Sequence, residues 1–147
     1  MPVPKYCQLL LAAGVFIGGA LPAHASSESW LAVTVARSGA WGVATDPVQF
    51  QAIVGAIRAC RERSPVAADC GALLKVNRGG WIVGSRCGHL SILASGATIL
   101  DAEEAEFHHG AALRANHLPA LPACVRLITV DPRGAVVDAS LALSRGE

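Results

Sequence analysis

Ala32-Val-Thr-Val-Ala-Arg-Ser-Gly39-Ala-Trp41-Gly-Val43 and Ala72-Leu-Leu-Lys-Val-Asn-Arg-Gly79-Gly-Trp81-Ile-Val83 are two related stretches of this 147-residue chain. Laid over one another at an offset of 40 residues (Ala32 on Ala72), they share Ala, Gly, Trp and Val at four positions, and Gly-x-Trp-x-Val occurs in both. Each alternates apolar and polar side chains, turns at a Gly and resumes with an aromatic. That pattern predicts a β-hairpin in each copy, because alternation with period two lines one face of a strand and a glycine relieves the turn.

A helix is expected after each hairpin. Asp46-Pro47-Val48-Gln49 offers an N-cap, a proline at the first helical position and a capping-box partner, and Phe50, Ile53, Val54 and Ile57 follow at helical spacing, to an end near Glu62. Asp101-Ala102-Glu103-Glu104 repeats the capping arrangement, with a weaker apolar stripe of Ala105, Ala112 and Leu113 before Pro119. Ala56-Ile-Arg-Ala-Cys60 lies over Ala112-Leu-Arg-Ala-Asn116 at an offset of 56, so the second copy is 56 − 40 = 16 residues longer, mostly Arg86 to Leu100 with the strand-like Leu90 to Ala94. Cys124 to Val130 and Ala135 to Leu143 flank Asp131-Pro-Arg-Gly134, a type I turn sequence, and predict a third hairpin. The expected fold is therefore α+β: an antiparallel sheet of two ββα-like repeats, about 30–69 and 70–143, plus a C-terminal hairpin, with two helices on one face.

The N-terminus is set apart from that fold. Lys5 precedes an apolar run from Leu9 to Ala20, and Pro22-Ala23-His24-Ala25 ends in the small residues a signal peptidase reads. Residues 1–25 are thus expected to be a cleavable export signal, leaving 26–147 as a single small domain with no membrane anchor. Cleaving 25 residues from 147 leaves 122 and removes Lys5 and Cys7, so 11 basic residues balance 11 acidic ones. A neutral chain lacks the basic footprint of a nucleic-acid binder, and 52% hydrophobic residues exclude a disordered chain.

Cys60, Cys70, Cys87 and Cys124 remain, an even number in a small exported domain, which predicts two disulfides. Their spacing is wrong for zinc, since no Cys-x-x-Cys or neighbouring His pair accompanies them. Four cysteines allow three connectivities. The layout favours Cys60–Cys70, closing the loop between helix one and the next strand, and Cys87–Cys124, tying the inserted segment to the strand after helix two.

Ser38-Gly-Ala-Trp-Gly42, Ala56-Ile-Arg-Ala-Cys60, Cys70-Gly-Ala-Leu-Leu74, Gly79-Gly-Trp81 and Ala102-Glu-Glu-Ala-Glu106 together resemble an exported bacterial family, domain of unknown function 4189, over residues 30 to about 130. The resemblance implies a signal peptide and two cysteine-punctuated halves, and it implies no catalytic residues. The chain departs from that pattern at Asn116, where the family has a cysteine, and in the shortness of the segment between Cys60 and Cys70.

Candidate chemistry is sparse. Glu104 and His108 stand one helical turn apart, and with His89 or His117 they would form a metal site, although the His-Glu-x-x-His order of metalloproteases is absent. Ser91 or Ser95 with His89 and Asp101 would supply the members of a triad, without the Gly-x-Ser-x-Gly elbow. Trp41 and Trp81 are expected in the core, Trp30 and His89 are candidate surface or ligand contacts, and Arg58, Arg61 and Arg63 suit the negative end of helix one. The reading that results is an exported, periplasmic or secreted, non-enzymatic module without cofactor or metal. It is expected to contact a protein or cell-envelope component in the manner of an inhibitor, the rival being a small envelope enzyme or metal binder built on Glu104, His108 and His89.

Overall fold

A computed structural model describes residues 29–116 and 118–139, so residues 1–25, read as an export signal, His117, and the end of the expected third hairpin at 140–143 lie outside the described residues. Among the described residues, seven strands and two α-helices run in the order β1 (Trp30–Val35), β2 (Trp41–Asp46), α1 (Gln49–Arg61), a short 3-10 turn (Ala67–Asp69), β3 (Leu73–Arg78), β4 (Trp81–Cys87), β5 (Leu90–Gly96), α2 (Ile99–Asn116), β6 (Val125–Val130) and β7 (Val136–Ala139). The class is α+β and every strand pair is antiparallel.

The strands form two sheets, ordered β2-β1-β3 and β5-β4-β6-β7, where the sequence suggested one. The reason lies at Gly79-Gly80. Gly79 has a positive φ of 71° and Gly80 is wedged against the Asn77 side chain and the Gly96 carbonyl, so the chain leaves β3 and enters the other sheet. β3 pairs with β1 and β4 pairs with β5 and β6, and the hairpin expected at 72–83 is a corner between sheets. Gly39, with φ 88°, does turn a true hairpin between β1 and β2, and Asp131-Pro-Arg-Gly134 turns β6 into β7. There the Asp131 carboxylate accepts from the Arg133 and Ala135 amides at 2.9 and 2.8 Å, as an Asx-type turn should.

Each sheet has its first strand in the middle, with the helix between the second and third strands. The chain passes from the first sheet to the second at 79–80. Period-two alternation sorts the side chains of β1: Leu31, Val33 and Val35 join Ile82, Leu93, Ile128 and Val130 between the sheets, while Ala32 turns outward onto Ala52 and Ala56 of α1. On β5, Leu93 faces the same inter-sheet core and Ile92 packs with Leu113 of α2. The helices accordingly cover opposite outer faces, α1 on β1 and β2 and α2 on β4 and β5, instead of sharing one face. A sheet that buries one face on another sheet needs its own cover on the second, and small residues let each helix sit close.

The two disulfides are Cys60–Cys70 and Cys87–Cys124. The first fastens the end of α1 to the approach to β3, where the Thr34 hydroxyl accepts from the Gly71 amide at 3.0 Å and donates to the Leu73 carbonyl at 2.7 Å. The second extends the β4–β6 ladder, because Arg86 pairs with Val125 and the cysteines occupy the next rung. Bonds of this kind persist in oxidising surroundings. Among the described residues no helix is long and apolar enough to cross a membrane.

Candidate functional site

The residues proposed for metal or hydrolytic chemistry do not converge. Glu104 and His108 pair across one turn of α2 at 3.6 Å, with both side chains largely exposed. His89 lies exposed at the turn between β4 and β5, and among the described residues no three His, Cys, Asp or Glu side chains gather as a metal site. Asp101 is committed to a helix cap: its carboxylate accepts from the Thr98 amide at 3.0 Å, and its own amide donates to the Thr98 hydroxyl at 3.2 Å. The second helix thus begins at Ile99 with Thr98 as its cap, three residues earlier than the Asp101 cap read from the sequence.

The tryptophans are half-buried and structural in their contacts. Trp41 leans on the inter-sheet core with the Arg63 guanidinium 4.5 Å from its ring, and Arg63 also donates to the Ala59 carbonyl at 3.1 Å, closing the end of α1. Trp30 packs against the Ala32, Ala52 and Ala56 cluster with Arg78 5.6 Å from its ring, so the side chain singled out as a surface contact supports the first helix. Trp81 opens β4 opposite Gly96. Arg58 and Arg61 stand in the last turn of α1, where cations oppose the helix dipole, and border a shallow opening with Val54 and Ile57.

A second opening lies along α2. Glu106, Phe107, Gly110 and Arg114 line one wall of an open cleft of about 490 Å³, with Ala123 and Cys124 opposite. Gly110 makes this approach feasible, because a Cβ there would stand 3.3 Å from Cys124 Sγ. Arg114 Nη1 lies 3.5 Å from the Pro122 carbonyl and 3.8 Å from Cys124 Sγ, holding the 122–124 segment against the helix. Phe107 is 64% exposed. One turn toward the helix start, Glu103 accepts from Arg126 Nη1 at 3.1 Å, and the same nitrogen donates to the Thr129 hydroxyl at 3.0 Å, tying α2 to β6.

None of Glu106, Phe107, Gly110 or Arg114 reads as a site residue in the sequence. The spacing of Phe107, Gly110 and Arg114 fits one helix face, but α2 has no continuous apolar stripe: its buried residues are Ala102 and Gly110. Only the position of Cys124 relative to the helix reveals the cleft.

Fold and site define a disulfide-stapled α+β protein with one helix-side cleft bordered by a disulfide. Compared with known proteins, the chain matches no family, no curated protein and no solved structure.

Proposed function

We propose that the chain is an exported binding module that acts by contact with a protein or cell-envelope partner held along the α2 cleft. The observation that carries this is Phe107, a large apolar ring 64% exposed at a cleft that also offers the Arg114 cation and the Glu106 carboxylate. Aromatic rings and arginines flanking a concavity are the side chains that dominate binding energy at protein interfaces. Export through residues 1–25 and kinship with the exported family named above belong to the same proposal, supported by the two disulfides. So does the reading of two ββα-like halves, each a pair of antiparallel strands followed by a helix.

A photo-reactive side chain at position 123, on the cleft wall, tests the proposal in the exporting cell. The expected result is one discrete adduct that Phe107→Ala weakens and that a probe at exposed Val66 does not give. Adducts that are equal at both positions or insensitive to Phe107→Ala would refute the cleft as the docking site. The mature mass should begin at Ser26.

A further inference from the structure

The Cys87–Cys124 disulfide presents a sulfur to the α2 cleft. Cys60 and Cys70 are 0% and 6% exposed, and neither lines the opening beside α1. Cys124 is half-buried, forms part of the cleft wall and has Arg114 Nη1 3.8 Å from its sulfur. Its partner Cys87 has no exposure and packs with Ile92, Leu121, Leu90 and Leu113. These environments sort the two thiols that reduction would release. A guanidinium beside a sulfur favours its thiolate, and apolar enclosure favours the neutral thiol. A disulfide with one reachable sulfur is open to exchange, while one enclosed on both sides resists it.

We propose that Cys87–Cys124 is a thiol-exchange site, entered through the α2 cleft, whose co-reactant is a thiol reductant. The reductant's thiolate attacks Cys124 Sγ, the Cys87–Cys124 bond breaks, and its electron pair leaves on Cys87 Sγ, which takes up a proton. A mixed disulfide then stands on Cys124. A second reductant thiolate attacks the first reductant's sulfur, the mixed disulfide breaks, and the electron pair leaves on Cys124 Sγ, where Arg114 faces the new thiolate. Two reductant thiols are oxidised to one disulfide, and the protein's disulfide is reduced to a Cys87 thiol and a Cys124 thiolate. One of the two protons released by the reductant stays on Cys87 and the other passes to solvent. Strands β4 and β6 remain paired from Ile82–Val130 to Arg86–Val125 when the bond opens, so exchange does not require unfolding. The site needs no docked partner, since the reagent has only to reach Cys124.

The test exposes the whole oxidised chain to reduced glutathione, quenches with acid, alkylates and locates thiols and adducts by peptide mass spectrometry. Cys87 and Cys124 are expected to open at least about tenfold faster than Cys60 and Cys70, with the glutathione adduct on Cys124. Equal rates for the two disulfides, or an adduct on Cys87, would overturn the proposal. With Cys87–Cys124 selectively reduced, alkylation of Cys124 followed against pH should show a midpoint below that of a free thiol. Arg114→Met should raise this midpoint and Arg114→Lys restore part of the shift. A midpoint unmoved by Arg114→Met would overturn the role of Arg114, and the wild-type comparison stands whether or not the variants fold.

Discussion

Gly42 shows how little room the helix-on-sheet contact leaves. A Cβ there would run into the Ala56 carbonyl and the Cys60 amide, and would come within 2.9 Å of Cys60 Cβ, all of it helix backbone or disulfide with no rotamer to yield. Gly42→Ala should therefore destabilise the fold by about 3 kcal/mol, the range of overpacking at a rigid contact. A thermal melt checks it, and a melting temperature within a degree or two of wild type would show that α1 can lift off β2. Gly96 occupies the matching place under α2, where a Cβ would meet the Ala102 amide and stand 2.6 Å from Asp101 Cβ. Neither requirement is visible in the sequence, because a glycine within alternating apolar residues also reads as a turn or a weak strand position. Gly39 and Gly134 were legible for the opposite reason: each sits beside polar residues between two alternating runs, which is local information.

The element scale separates what local chemistry specifies from what packing decides. Asp46 reads as the cap of α1 with Pro47 opening the helix, but Asp46 ends β2 and the cap position is Val48, with no side-chain cap bond. The Asp46 carboxylate accepts from the Val48 amide at 2.7 Å in the turn before Gln49. Thr98 was not legible as the cap of α2, because Asp101 reads as the cap. The reciprocal Thr98–Asp101 bonds now assign Asp101 to the third helical position of a capping box. Thr98→Ala should lower stability by about 1 kcal/mol, seen as a lower urea midpoint with an unchanged slope. Asp101→Asn, which keeps an acceptor oxygen, should cost less. If the two substitutions cost the same, the carboxylate charge at the helix start matters as much as the hydroxyl bond. The strands themselves were legible from alternation, but their partners were not. A Gly-Gly turn serves a hairpin and a corner between sheets equally well, and only the shared burial of Leu31, Val33, Ile82 and Ile128 shows that the chain crosses over at Gly79-Gly80.

For the whole molecule, stability rests on an inter-sheet core with a covalent tie in each half. Cysteine pairing was legible because each bridge joins segments that the expected element order already brings together, one across a short loop and one along a strand pair. The cleft was not, because it depends on how closely α2 approaches Cys124. The two bridges span different lengths of chain, with sequence separations of 10 and 37. In the chain-entropy account the longer loop constrains the unfolded state more, so Cys60–Cys70 is worth about 2.7 kcal/mol and Cys87–Cys124 about 3.8 kcal/mol. Alanine suits the replacement because Cys60 and Cys87 are wholly buried among apolar side chains, and a serine hydroxyl there would add a desolvation penalty of its own. Calorimetry on the two double-alanine variants should find both folded, with the Cys87→Ala/Cys124→Ala protein melting lower. The opposite order would mean that the β4–β6 ladder alone already holds the 37-residue span, leaving the second disulfide little stabilising role.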